Sequence, residues 1–310
     1  MLSKREINSN INTEWEISTR YLKESRYGLC RFINEVCVNI NVSNEVESIA
    51  MNLTNYFFVK KNYMNYDRLT LACAAILLAT KVENSQNKFN EISKEYFKYH
   101  YKIYGGTNTF FRNEDNQQIK DDIGRYEIEL LKTLNFDVPK TLPFDYIYVY
   151  TAILYPDNET DISTVAIKIA HDSFFTYANN LYKYYVVAIA SITLAARLLG
   201  ISTPLDSDFK NIDNMRIINY KKLSEEEFDR KLMLYDNKGN EEVKYINKDK
   251  KDIDSYFDRL SISEKMHPQM KMDDLVDCMF IICEFYDDTI KDYAKIEKKN
   301  EIKNNLQGNK

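Results

Sequence analysis

Two segments of the chain, 116 residues apart, carry the same apolar pattern. The first, over 69–79, is apolar on every side, which is typical of a helix surrounded by other helices. The second covers 186–197, and at this spacing Lys81 falls on Arg197. The segment one helix earlier matches at the same spacing. The sequence therefore predicts two copies of one helical unit.

Glycine and proline are rare, with 7 and 5 among 310 residues. A protein built of many hairpins, or of α/β loops around a nucleotide, needs more of both. Apolar residues at three- and four-residue steps predict amphipathic helices over 22–40, 46–58 and 123–134, and Ser43 is expected to be an N-cap. Further helices are expected near 88–103 and over 272–296. The expected fold class is all-α.

The domain limits follow from proline and from changes in composition. Pro139 is expected to end the first unit. The segment 205–251 is charged with little apolar periodicity and predicts a polar insertion in the second unit, as either a hairpin turning at Gly239 or a mobile loop. The expected divisions are an N-terminal extension, the first unit, the second unit and a polar tail that is expected to fray, over 1–20, 21–139, 140–296 and 297–310.

Composition excludes several function classes. The net charge of −5 and the pI near 5.5 argue against nucleic-acid binding, which favours a basic surface. The sequence has neither an uncharged apolar stretch long enough to span a membrane nor an N-terminal signal core. The five cysteines are odd in number and scattered. They predict buried, reduced thiols in a nuclear or cytosolic protein.

No constellation of residues points to catalysis. The three histidines lie far apart in sequence, without metal-ligand spacing. Cys278 and Cys283 are expected to pack in a core, because a five-residue step turns them in different directions on a helix. Neither a phosphate-binding glycine loop nor a nucleophile elbow occurs. We expect no catalytic residue, metal site or cofactor, although a site built from scattered acidic residues stays open.

The end of the first apolar helix carries the most specific motif. It reads Leu-Ala-Thr-Lys-Val-Glu over 78–83, and a lysine there could simply complement the helix dipole. On the predicted fifth helix, Glu127 precedes Phe136-Asp by nine residues. Together with two tandem helical units, these motifs resemble the cyclin family. The segment 24–33 resembles the first box helix of the transcriptional cyclins of types K, T and L.

The resemblance implies two tandem cyclin-box repeats of about five helices each, with additional terminal helices. It implies a nuclear, or alternatively cytoplasmic, regulatory subunit that binds and activates a cyclin-dependent protein kinase. The kinase is expected to phosphorylate RNA polymerase II repeats, while a cell-cycle role stays open. By resemblance, Lys81 and Glu127 are polar anchors for the kinase. The expected apolar surface around them, for which ordinary core packing is the alternative, comprises Leu78, Val82, Leu131, Phe136 and Val138.

The sequence departs from the family pattern at two places. Asn84 stands where the family usually has a second glutamate, and Ser25-Arg-Tyr-Gly-Leu29 replaces the docking motif of mitotic cyclins.

The alternative function is that of a general transcription factor of the B type, which shares the two-repeat fold and binds DNA. Such a protein should be basic and carry an N-terminal zinc ribbon, whereas this chain is acidic and has none.

Overall fold

The computed structural model describes residues 2–3, 18–86, 88–104, 113–138, 141–203 and 271–307. Every regular element in these ranges is a helix, which confirms the all-α class. Pro139, the 205–251 insertion and the hairpin predicted at Gly239 lie outside the described residues. The helices are α1 Thr19–Asn39, α2 Asn44–Lys60, α3 Arg68–Val82, α4 Phe89–Tyr104, α5 Asn113–Thr133, α6 Phe144–Leu154, α7 Glu159–Ser173, α8 Ala178–Leu181, α9 Tyr184–Leu198 and α10 Met272–Gln307.

The centre of the first half of the fold is α3. It contacts α1, α2, α4 and α5, and every residue from Thr70 to Thr80 is buried. Its first turn is capped by Asp67, whose Oδ2 accepts a hydrogen bond from the backbone N–H of Thr70 at 3.0 Å. The sequence prediction of a helix enclosed on all sides is confirmed, because an all-apolar surface is stable only when neighbours cover it.

The predicted 116-residue spacing appears in the helix bounds. Adding 116 to the limits of α3 gives 184 and 198, the limits of α9. Most of α9 is buried, as α3 is. An earlier helix in each half also matches, because α2 begins at Asn44 and α7 at Glu159, one residue from the position that the spacing gives. The described residues thus agree with the predicted repeat at these two helices.

The chain divides into two compact units, each built from two stretches of sequence. The first comprises Met1–Leu142 with His171–Tyr184, and the second comprises Pro143–Ala170 with Tyr185–Lys310. A division near Pro139 alone would have placed 171–184 with the second copy. The limits predicted for the cyclin boxes describe sequence repeats and stay a prediction.

Buried amides hold the 171–184 stretch in the first unit. Asn55 Nδ2 on α2 donates to the carbonyls of Phe174 at 2.9 Å and Thr176 at 3.2 Å. Asn180 Nδ2 donates to Asn52 Oδ1 at 2.5 Å. Folding removes these amides from water, and each of these hydrogen bonds takes the place of a hydrogen bond that the amide made with water in the unfolded chain. Sequence periodicity did not reveal this connection.

A buried acid and a histidine extend the same network. Glu47 lies fully buried on α2, and its Oε1 accepts from Asn34 Nδ2 at 2.6 Å. The Nε2 of His171 lies 3.2 Å from the same oxygen. These contacts belong to the interior of the first unit, so we assign His171 a structural role.

Four helices end in the same left-handed turn. The second residue after each helix has a positive φ, and the N–H of the residue that follows it donates to the carbonyl five residues back, as Ser85 N does to Thr80 O at 2.9 Å. This pattern satisfies helix carbonyls that would otherwise lack a partner. Asparagine adopts this backbone more readily than glutamate, which explains why Asn84 departs from the family pattern. The four residues are Asn41, Asn84, Asn135 and Gly200.

The last helix is longer than the sequence analysis indicated. We predicted an end near Ile296, but α10 continues to Gln307 and includes most of the predicted 297–310 tail. The expectation that the tail frays stays a prediction. The fully buried Leu275, Cys278 and Ile282 recur at three- and four-residue steps along it. This apolar stripe anchors the helix, and the polar residues beyond it continue the same backbone hydrogen bonding.

All five cysteines are buried and free, as the sequence predicted. Burial raises the pKa of Cys30 and of Cys283 to about 12 each. A thiol with so high a pKa is almost entirely protonated at neutral pH and is a poor nucleophile or metal ligand. In the described ranges, no three His, Cys, Asp or Glu side chains gather where they could hold a metal ion.

Candidate partner-binding site around Lys81 and Glu127

Lys81 and Glu127 meet where α3 ends beside α5. Lys81 Nζ lies 2.6 Å from Glu127 Oε1 and 2.8 Å from Oε2, so one ammonium binds both carboxylate oxygens. The Lys81 side chain is 57% exposed and that of Glu127 is 12% exposed. The two residues expected to be polar anchors are therefore adjacent in the structure.

Packing of α5 against α3 positions Glu127. Ile123 and Leu130 on α5 are fully buried, whereas Glu127 lies at the edge of that buried face. Residues two positions apart on a helix do not share a face. Accordingly, Glu129 pairs with a different lysine: Lys61 Nζ lies 2.9 Å from its Oε1. That lysine lowers the pKa of the Glu129 carboxyl.

The five predicted apolar residues differ in how far they reach the surface. Leu78 is 6% exposed, so its side chain belongs mainly to the core. Val82, Leu131 and Val138 are half-buried. Phe136 is 69% exposed and is the most exposed large apolar side chain in the described part of the chain. Four of the five therefore reach the surface at least in part, and Leu78 does not.

Phe136 is held outward by an unusual backbone conformation. Its φ is 61° and that of the preceding Asn135 is 50°, so two successive residues are left-handed. The Phe136 N–H donates to the carbonyl of Leu131 at 2.9 Å, which closes the end of α5. For a residue with a side chain this conformation costs about 1–2 kcal/mol. Glycine would adopt this conformation without the cost.

Sequence reasoning missed Ile128, which is 54% exposed. It follows Glu127 on α5 and shares a helix face with Leu131, three residues later. Gly124 lies one turn earlier on this face, and a Cβ added there would meet nothing within 4 Å. Helical spacing alone cannot separate an apolar face that packs inward from one that is exposed. We call Lys81, Val82, Glu127, Ile128, Leu131, Phe136 and Val138 the docking face.

Comparison with known proteins shows which family this chain resembles. Residues 1–139 match the sequence model of the cyclin N-terminal domain. Cyclin-T1-5 of Arabidopsis thaliana is 25% identical over 189 residues, which cover 61% of this chain and 32% of that protein. Cyclin-L1 of Homo sapiens is 23% identical over 178 residues, which cover 56% of this chain and 34% of that protein. The chain is thus similar to the cyclin family, and its first 139 residues match that family's N-terminal domain.

This chain spans about a third of the length of the T-type relative named above. A solved structure, the yeast RNA Pol II CTD kinase CTDK-1 complex, contains a chain of similar fold with a TM-score of 0.54. The two chains are 16% identical, and the match covers 80% of this chain and 86% of that one. At this identity the likeness establishes the fold.

None of the helices in the described ranges is long and apolar enough to cross a membrane.

Proposed function

We propose that this chain is a cyclin that binds and activates a cyclin-dependent protein kinase that acts in transcription, through the docking face. The proposal rests on the Lys81–Glu127 pair, in which one ammonium binds both carboxylate oxygens, and on the exposed ring of Phe136. The transcriptional assignment is supported by the T and L types of the relatives. The solved neighbour, named as an RNA Pol II CTD kinase complex, agrees with it.

The ion pair suits recognition of a partner's backbone. An ammonium group has three N–H donors, of which Glu127 engages two. The third donor of Lys81 can bind a carbonyl of the partner, and Glu127 oxygens keep lone pairs for a partner N–H. In this arrangement each charge stays paired when the partner excludes water, which limits the desolvation cost.

The apolar members of the docking face supply most of the binding energy. Phe136 and Ile128 expose large apolar surface that a partner can cover, and burying one such side chain contributes about 1.5–3 kcal/mol. Signalling assemblies of this kind often bury about 2,000 Å² or more. Leu78, being mainly in the core, contributes by supporting the end of α3.

The chain acts without catalytic groups of its own. By binding the regulatory helix of the kinase, it favours the active placement of the kinase Lys–Glu pair and activation loop. The proposed substrates are the C-terminal repeats of RNA polymerase II, and the proposed location is the nucleus.

A recovery and reconstitution experiment tests this function. The tagged full chain is recovered from its native cells, and the associated kinase is identified by mass spectrometry. That kinase is then purified and assayed on an RNA polymerase II repeat peptide with and without the chain. We expect the chain to raise the phosphorylation rate at least about a hundredfold. A kinase that is equally active alone, or the recovery of no kinase, would contradict the proposal.

A further inference from the structure

Arg68 stands at the opposite end of α3 from the docking face. Lys81 lies 13 residues further along the helix, a separation of about 20 Å. Arg68 Nη1 donates to Tyr21 Oη at 3.4 Å and to Ser25 Oγ at 3.5 Å. Its guanidinium carbon also lies 5.4 Å from the ring centroid of Tyr63. The half-buried guanidinium is thus surrounded by hydroxyl-bearing side chains.

This environment is unusual for a half-buried cation. Among the described residues no carboxylate pairs with Arg68, and a cation in the first turn of a helix opposes the helix dipole. A hydroxyl that accepts from arginine keeps its own hydrogen to donate elsewhere. Arg68, Tyr21 and Ser25 therefore present N–H and O–H donors at one place, which is the chemistry that binds an anion.

A second arginine, Arg26, follows Ser25 on α1. Arg26 Nε donates to the carbonyl of Phe175 at 3.1 Å, and its guanidinium carbon lies 4.1 Å from the ring centroid of Tyr177. The nearest acidic side chain in sequence, Asp67, is engaged with the N-terminus of α3, where it accepts from Thr70. Glu24 is paired with Arg20 at 2.8 Å.

We propose that Arg68, Ser25 and Tyr21 form a binding site for a phosphorylated segment of a partner protein. A phosphoserine group carries nearly two negative charges and three acceptor oxygens, which match a guanidinium and two hydroxyls. Met64 follows Tyr63 and is 65% exposed, so it offers an apolar contact to a neighbouring peptide residue. The net charge of −5 favours a single phosphate over a nucleic acid, which needs an extended basic surface.

This site goes beyond the proposed kinase-binding function and is independent of it. The docking face lies at the other end of α3, so a bound kinase and a phosphorylated segment use different residues. Substitutions at one site are expected to leave the other unchanged, and each proposal can therefore fail alone.

Fluorescence anisotropy with the full chain tests the site. The probe is a labelled degenerate peptide pool with a fixed central phosphoserine, compared with the same pool carrying serine. We expect the phosphorylated pool to bind at least tenfold more tightly. Arg68→Gln should weaken its binding about tenfold to a hundredfold, and Tyr21→Phe about two- to tenfold. Arg125→Gln, which removes an exposed arginine on α5, is the matched control and should change binding less than twofold.

Several outcomes would overturn the proposal. Equal binding of the two pools would do so, as would a folded Arg68→Gln variant that binds normally. Inorganic phosphate that competes as well as the phosphorylated pool would indicate an adventitious ion only. A short RNA that binds more tightly, and depends on Arg68, would overturn the peptide assignment. If Arg68→Gln does not fold, the exposed Tyr21→Phe decides, because loss of one hydroxyl leaves the packing intact.

Discussion

Lys81 and Arg197 occupy the same position, the fourteenth, in two helices of fifteen residues. Their surroundings differ. Lys81 is exposed and binds Glu127, whereas Arg197 is half-buried and lies near enough to Cys283 on α10 to oppose the rise in the pKa of that thiol. The second copy thus keeps this helix, but the position that belongs to the docking face in the first copy is half-buried in the second.

Replacement of Arg197 by alanine tests this asymmetry. Because Arg197 is half-buried beside α10, we expect kinase affinity to change less than about threefold, below 1 kcal/mol. Calorimetry on the folded variant measures the affinity. A larger loss would show that the second copy also contacts the kinase.

Phe136→Gly should change folding and binding in opposite directions. Glycine adopts a φ of 61° without strain, so the free chain should be as stable as wild type or up to about 1 kcal/mol more stable. Loss of the exposed ring should weaken kinase binding tenfold or more, since burying a phenylalanine contributes about 1.5–3 kcal/mol. Thermal melts and calorimetry measure the two effects.

Phe136→Ala is the matched control for that substitution. It removes the ring and keeps the left-handed strain, so we expect the same loss of affinity without a gain in stability. Unchanged affinity in both variants would remove Phe136 from the docking face.

Replacing Gly124 and Gly200 by alanine should change the stability of the chain in opposite directions. Gly124 lies inside α5 with open space around it, so Gly124→Ala should stabilise the chain by about 0.5–1 kcal/mol. Gly200 has a φ of 70°, and Gly200→Ala should destabilise it by about 1–2 kcal/mol. Denaturant unfolding of both variants checks the signs. Destabilisation by Gly124→Ala would mean that α5 is more closely packed there than the structure indicates.

The polar insertion should be dispensable for folding. Its sequence has few apolar residues at helical spacing and so buries little, which predicts that joining Leu205 to Asp252 through a short Gly-Ser linker preserves helical content and melting temperature. Circular dichroism and the kinase assay measure the outcome. Failure to fold would show that the insertion packs on the second unit, and failure with the physiological substrate alone would assign it to substrate recruitment.

The core was predictable from sequence because its signals are local. The apolar surface of α3 and its repetition in α9 follow from residue spacing, and the Ser43 cap, which accepts from Val46 N at 3.4 Å, is a short-range pattern. The asparagine-terminated helices were missed, because Asn84 reads as a polar surface residue until its φ is known. Glu47 was missed for a related reason: a buried acid shows itself only through the partners that tertiary structure supplies.

The ion pair was predictable and the apolar part of the docking face only partly so. Lys81 and Glu127 carry a family motif, and a helical repeat places their helices together. Leu78 was expected at the surface and instead faces the core, whereas Ile128 was not expected there and is exposed to solvent. Spacing identifies apolar faces, whereas exposure depends on which neighbours pack against them.

The most direct test measures kinase affinity for Lys81→Ala and for Glu127→Ala, with Lys61→Ala as a control that breaks a different ion pair of α5, the one with Glu129. As an exposed pair in the free chain, Lys81–Glu127 contributes about 0–1 kcal/mol to stability, so both variants should melt near the wild-type temperature. We predict that each weakens kinase binding between about 30-fold and several thousand-fold, since the pair is buried in the complex, and that Lys61→Ala binds normally. Wild-type affinity and activation by both Lys81→Ala and Glu127→Ala would contradict the account.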